Sequence, residues 1–353
     1  MSGSSSFLCG IIEGFYGRQW SFEMRLAYAR YLASAGLDAC IHCPKGDPYL
    51  RRRWQEDWPS QRWRELRELA ATYRSFGVAW GVGLSPFALY LDYGPLEREQ
   101  LRRKIMRITE LDAPLLAVLF DDMPGDADAL ASRQAAIVAD IVDWTGGQRR
   151  LLVCPTYYSF DPVLERHFGR RPAGYWEQLG KELPSQVGVF WTGNEVCSES
   201  IAADDVREIN RRLGRPVTLW DNYPVNDGPE RSNYLYTSPL SRRSPAIGDL
   251  LEGHFCNPMN QALLSLPALS GLAHLHGRPG LRDEALERAL GAGVMRRLSV
   301  DGPLFEREGL SGLGEDRRRQ LAARYEALPG MAATEIAAWL RGEYAFDPAC
   351  LTD

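Results

Sequence analysis

The chain has 353 residues, 45% hydrophobic, 25% charged and 10% aromatic, which is enough apolar material for one large globular domain or two ordinary ones. Its 41 basic and 46 acidic residues leave a net charge of −5, so nothing electrostatic points to nucleic acid or an anionic membrane as a partner. No apolar stretch approaches bilayer length, and the opening MSGSSSFLCG lacks the basic start and long apolar run of a signal peptide. The seven cysteines are odd in number and follow no disulfide framework, which fits reduced thiols in the cytoplasm. Positive charge is carried almost wholly by arginine; Lys45, Lys104 and Lys181 are the only lysines.

In chain order, short apolar runs of strand length alternate with segments of helical period. A strand over Phe7–Ile12 precedes a helix over 22–35. Strands over Asp38–Cys43, Val78–Ser85 and Leu115–Asp121 are followed by helices over 63–76, 97–111 and 129–144. Leu151–Thr156, Val187–Thr192, Val217–Asp221 and Gly253–Asn257 complete the strands, with helices over 203–213 and 260–273. Runs such as LLAVLF have the unbroken apolar character of parallel strands covered on both faces. Repeated strand–helix units imply right-handed crossovers, and eight of them in one domain predict an α/β fold, a closed (β/α)8 TIM-type barrel, over residues 1–275. An open doubly wound sheet is the rival, but no G-x-G-x-x-G follows the first strand. Residues 281–292, 315–328 and 331–342 read as helices separated by Gly and Pro, so 276–353 is expected to be a small C-terminal helical appendage.

Chemistry in such a barrel gathers at the C-terminal ends of the strands. Those ends here carry Glu13-Gly14-Phe15-Tyr16, Pro44-Lys45-Gly46-Asp47, Asp121-Asp122, Cys154-Pro155-Thr156-Tyr157-Tyr158, Trp191-Thr192, Trp220-Asp221-Asn222 with Asn226-Asp227, and Asn257-Pro258. Carboxylates, amides, hydroxyls and aromatics in one ring suit a neutral sugar: aromatic faces for its apolar side, fixed polar groups for its hydroxyls. A phosphate would call for Gly-rich loops or clustered arginine. The sharpest feature is Asp121-Asp122. Two neighbouring carboxylates after LLAVLF sit where solvation is poor, and close like charges favour one protonated acid beside one ionised partner. Glycoside hydrolysis needs such an acid to protonate the departing oxygen. An isolated pair of this kind more often caps a helix or binds a cation; the matching ring of strand ends turns the balance.

FLCGIIEGFYGRQW, CPKGD, VLFDDM, CPTYYS, FWTGNEVCS, LWDNYPVND and FCNP together resemble, in the same order, glycoside hydrolase family 84, which holds the protein O-GlcNAcases and bacterial β-N-acetylglucosaminidases. The resemblance covers about residues 7–275. It implies a retaining exo-β-N-acetylglucosaminidase, needing no cofactor and no metal, that removes terminal β-linked GlcNAc from glycoproteins or GlcNAc conjugates. In that family the substrate's own 2-acetamido oxygen attacks the anomeric carbon and forms an oxazoline. Adjacent residues, with Cα atoms ~3.8 Å apart, suit that division of labour better than two carboxylates on opposite sugar faces. By resemblance, Asp121 holds the acetamide N–H, Asp122 is the general acid and then base, and Tyr158 donates to the acetamide oxygen. Asn222 would orient the acetamide, Trp220 and Cys154 would wall its methyl pocket, and Asp227, Asn257, Lys45 and the Gly14 carbonyl would bind hydroxyls. The family usually has an acid where Gly46 and Tyr157 stand and often an aromatic where Gly228 stands, which leaves the leaving-group side open.

Phe15 and Trp20 read as core aromatics, and Trp191 equally as packing or sugar contact. Asp221 should face away from Asn222, since alternate residues face opposite sides. Cys40, His42 and Cys43 lack the second pair that a tetrahedral metal site needs. The runs at Arg51–Trp54 and Arg317–Arg319 read as solvated faces. Two rival functions stand beside the leading one: an endo-acting hyaluronidase-like hydrolase, and a catalytically silent GlcNAc-binding protein.

Overall fold

A computed structural model describes residues 7–352. Eight strands run parallel: β1 (Leu8–Glu13), β2 (Ala39–His42), β3 (Ala79–Leu84), β4 (Leu115–Leu119), β5 (Arg150–Cys154), β6 (Gly188–Trp191), β7 (Val217–Asp221) and β8 (Leu251–Cys256). They pair in sequence order and close on themselves, Leu8 to Ile11 of β1 lying against Gly253 to Cys256 of β8. The barrel expected from the sequence is therefore the barrel observed. Strand β4 is buried along its whole length, as its unbroken apolar run requires.

Helices α1 (Phe22–Ala35), α2 (Ser60–Ser75), α3 (Pro95–Thr109), α4 (Leu130–Thr145), α5 (Val163–Phe168), α6 (Tyr175–Glu182), α7 (Ala203–Leu213) and α8 (Leu266–Leu275) accompany the strands. Their ends follow local chemistry. Ser21 caps α1 by accepting from the Met24 amide at 3.1 Å, and Gly36 ends it in the left-handed conformation that glycine adopts at least cost. Lys104 of α3 is buried, with its ammonium 3.4 Å from the centre of the Trp58 ring and donating to the Glu56 carbonyl at 2.6 Å. None of the described helices is long and apolar enough to cross a membrane.

Five further helices follow: α9 (Asp283–Leu290), α10 (Ala292–Arg307), α11 (Gly309–Leu313), α12 (Glu315–Glu326) and α13 (Met331–Leu340). Sequence reading missed α5, α6, α10 and α11. Helix α10 runs through Gly302 and Pro303, both helix-breaking by propensity, because burial of Val294, Gly302 and Phe305 outweighs the local cost. Phe305 packs on the rings of Tyr325 and Trp339, 6.1 and 5.1 Å between centres. These helices also hold the long connection after β7. Glu306 accepts from the Thr237 and Ser238 amides, both at 2.6 Å, and Trp339 donates to the Ser232 carbonyl at 3.2 Å.

Candidate active site

The polar ends of the strands converge on one cavity at the C-terminal mouth. Gly14, Lys45, Asp121, Asp122, Cys154, Tyr158, Trp220, Asn222, Asp227 and Asn257, the ten residues singled out in the sequence, all line it. Tyr16, Thr192, Val196, Cys197, Val225, Cys350 and Thr352 line it as well.

The two aspartates leave β4 in different company. Asp121 is buried and pairs through Oδ2 with the buried ammonium of Lys45, while its Oδ1 is equally buried and has no hydrogen-bond partner among the described residues. Asp122 takes a phenol on each oxygen: Tyr158 donates to Oδ1 and Tyr16 to Oδ2, both at 2.8 Å. Burial, and then the charge of Asp122, push both phenols well above their usual range, so they stay protonated and donate. Asp122 has φ 52°, a left-handed backbone uncommon outside glycine, and the buried Arg51 clamps it by donating to its carbonyl at 2.8 Å. Each carboxylate thus has its own partners. Lys45 gives one of its three donors to Asp121 and also lines the cavity.

The opposite wall is an amide network. Asn222 Oδ1 accepts from Trp220 Nε1 and from Asn257 Nδ2, each at 3.0 Å, while Asn222 Nδ2 donates to the Val196 carbonyl at 2.8 Å. Asn257 Oδ1 in turn accepts from the Gly14 amide at 3.2 Å. A side chain at Gly14 is impossible without displacement, since a Cβ there would lie 2.3 Å from the Trp220 ring. Asp227 accepts from the Tyr16 amide at 2.6 Å, and burial raises its carboxyl to about 6. Trp220 lines the cavity and packs T-shaped against Phe190, their ring centres 5.4 Å apart.

Other readings settle differently. Phe15 and Trp20 pack in the core, and Trp191 is buried against Phe160 at 5.4 Å. Asp221 faces away from the cavity, as strand alternation requires: it forms a two-point pair with Arg243 at 2.7 and 2.8 Å and meets His254 at 3.1 Å. Burial alone would raise its carboxyl, but Arg243 overrides that and holds it far below the usual range. Asp221, His254 and Cys256 offer donor atoms within 4.8 Å of one another, yet Arg243 supplies the positive charge there, leaving no call for a cation. Asp221→Ala would strand that buried guanidinium; a loss of about 3–5 kcal/mol is expected, read as a fall in the urea midpoint. His42 bonds to Glu13 at 3.0 Å, inside the pair that Glu13 makes with Arg25, and not to Cys40 or Cys43. The Arg51–Trp54 run is a correction: Arg52 and Arg53 are exposed, but Arg51 and Trp54 are buried, with Arg51 beneath the aspartates. Leu50 and Trp54, four apart, were the local sign of an inward face.

A closed parallel barrel with paired aspartates, phenols and amides converging at its mouth is the architecture of a glycoside hydrolase. The chain belongs to the β-N-acetylglucosaminidase family, whose sequence model matches residues 9–290. It is 28% identical over 264 residues to the protein O-GlcNAcases of Mus musculus and Rattus norvegicus, a match covering 72% of this chain. The chain spans only 28% of the length of those relatives. A solved mutant of the Thermobaculum terrenum O-GlcNAc hydrolase superposes with a TM-score of 0.76 at 27% identity, covering 97% of this chain and 82% of that one.

Proposed function

We propose that this protein is a retaining exo-β-N-acetylglucosaminidase that uses the 2-acetamido group of its substrate as nucleophile. The observation that carries the reading is that Asp121, lining the cavity, has a buried Oδ1 with no partner among the described residues, while the adjacent Asp122 holds two phenols. A buried carboxylate oxygen without a donor is costly, and an acetamide N–H would satisfy it. Lys45 holds the Asp121 side chain in place through its other oxygen. Accepting the N–H pushes electron density onto the acetamide oxygen, which Tyr158 steadies as it closes on the anomeric carbon. Asp122 protonates the departing oxygen, then takes a proton from the water that opens the oxazoline; net retention follows from two displacements.

Asn222 orients the acetamide, Trp220 and Cys154 enclose its methyl group, and Asp227, Asn257 and the Gly14 carbonyl hold the outer hydroxyls. Catalysis resides in residues 1–275. Residues 276–353 support the connection after β7, in line with the Glu306 and Trp339 contacts. Substrates are terminal β-linked GlcNAc groups on Ser or Thr of proteins or on smaller conjugates, met in the cytoplasm, where thiols such as those of Cys9, Cys40 and Cys43 persist. The test is hydrolysis of an aryl β-N-acetylglucosaminide with and without a thiazoline mimic of the oxazoline. Turnover that the mimic abolishes, with the β-anomer released first, is expected. Absence of both turnover and binding would remove the proposal.

A further inference from the structure

The barrel does not close its own mouth. After α13 ends at Leu340, the chain turns back and residues 346–352 run without regular secondary structure to the cavity, where Cys350 and Thr352 join its lining. Both are buried, Thr352 to 7% exposure, whereas Phe346 and Leu351 of the same segment stand 42% and 46% exposed. The Thr352 hydroxyl lies 3.5 Å from the hydroxyl of Tyr158, the group that also donates to Asp122. Thr352 thus stands against the phenol that, on the reading above, serves the acetamide oxygen.

We propose that residues 346–352 form an intrasteric gate: the docked segment excludes the sugar, and substrate enters only those molecules in which the segment has lifted. The proposal rests on the reading of this cavity as the GlcNAc site. The docking contacts suit reversible release. The Tyr158–Thr352 contact sits at the outer limit of a hydrogen bond. The segment carries part of its own bonding, with the Cys350 amide on the Asp347 carbonyl at 2.8 Å and the Ala349 amide on the Asp347 side chain at 2.9 Å. The Cys350 thiol reaches the Thr352 carbonyl at 3.4 Å. Bonds internal to the segment need not break when it swings away. Every ligand of the cavity then binds with its intrinsic affinity reduced by the open fraction.

The test uses the full chain and the thiazoline mimic. Alkylation of Cys350 by iodoacetamide, located by peptide mass mapping, should run at least about tenfold faster when the mimic saturates the cavity, because ligand holds the gate open. An unchanged or slower rate overturns the gate and makes the segment a fixed wall of the site. Independently, Thr352→Arg, whose long charged side chain is unsuited to the buried place of Thr352, should tighten the calorimetric Kd of the mimic by at least about fivefold; equal or weaker binding contradicts the proposal. If the mimic binds neither protein, the sugar-site reading fails and the gate falls with it. Equal binding to both, without faster Cys350 alkylation, sinks the gate alone.

Discussion

Replacing Asp122 by alanine should cut turnover of substrates with poor leaving groups by about 10²–10⁴-fold, while aryl glycosides with acidic leaving groups lose far less. The asymmetry follows from the role. A general acid matters in proportion to the basicity of the oxygen it protonates, and an acidic phenol departs unaided. The geometry adds a control. Asp122 occupies a left-handed backbone at φ 52°, which alanine tolerates less well than aspartate or asparagine, so part of any loss in Asp122→Ala reflects backbone strain. Asp122→Asn keeps the backbone and the two phenol contacts within reach and should show the same leaving-group dependence. A plot of log kcat/KM against leaving-group pKa should steepen in both variants; parallel lines for variant and wild type would remove Asp122 from the acid role.

Asp121→Asn should lower kcat by about 10²–10³-fold on every substrate, whatever its leaving group. Two losses coincide. The amide presents weaker acceptance to the acetamide N–H, and it leaves the buried ammonium of Lys45 without its anion. Because the acetamide then becomes a poorer nucleophile, the loss belongs in kcat rather than KM, and the thiazoline mimic should lose affinity alongside. Steady-state kinetics on one activated and one unactivated glycoside suffice. Undiminished turnover would leave Asp121 a structural partner of Lys45.

Much of the barrel was legible because strand burial writes an unbroken apolar run, as in LLAVLF, and helices between strands write a 3.6-residue period. Helices α5 and α6 escaped because Gly and Pro flank short segments whose apolar residues Leu164, Phe168, Trp176 and Leu179 make too few turns to set a period. Helix α10 escaped because tertiary packing of Phe305 overrode Gly302 and Pro303. In the cavity, strand-end positions pointed to Asp121, Asp122, Tyr158 and Asn222. Contacts between distant loops had no local sign. Tyr16 reaches Asp122 across 106 residues, Arg51 reaches it across 71, and Thr352 meets Tyr158 across 194. A periodicity reports on a residue's own element; it carries nothing about which other loop will lie opposite once the barrel closes.

The scarcity of lysine has a practical side. Lys45 is sealed beside Asp121 and Lys104 lies beneath Trp58, which leaves Lys181, on the outer surface of α6, as the chain's exposed lysine. Amine-directed crosslinkers, dyes and sensor-chip chemistries would therefore meet, besides the α-amino group, one lysine side chain on a flank of the barrel. Molecules tethered through that lysine would be held by a residue outside the lining of the cavity.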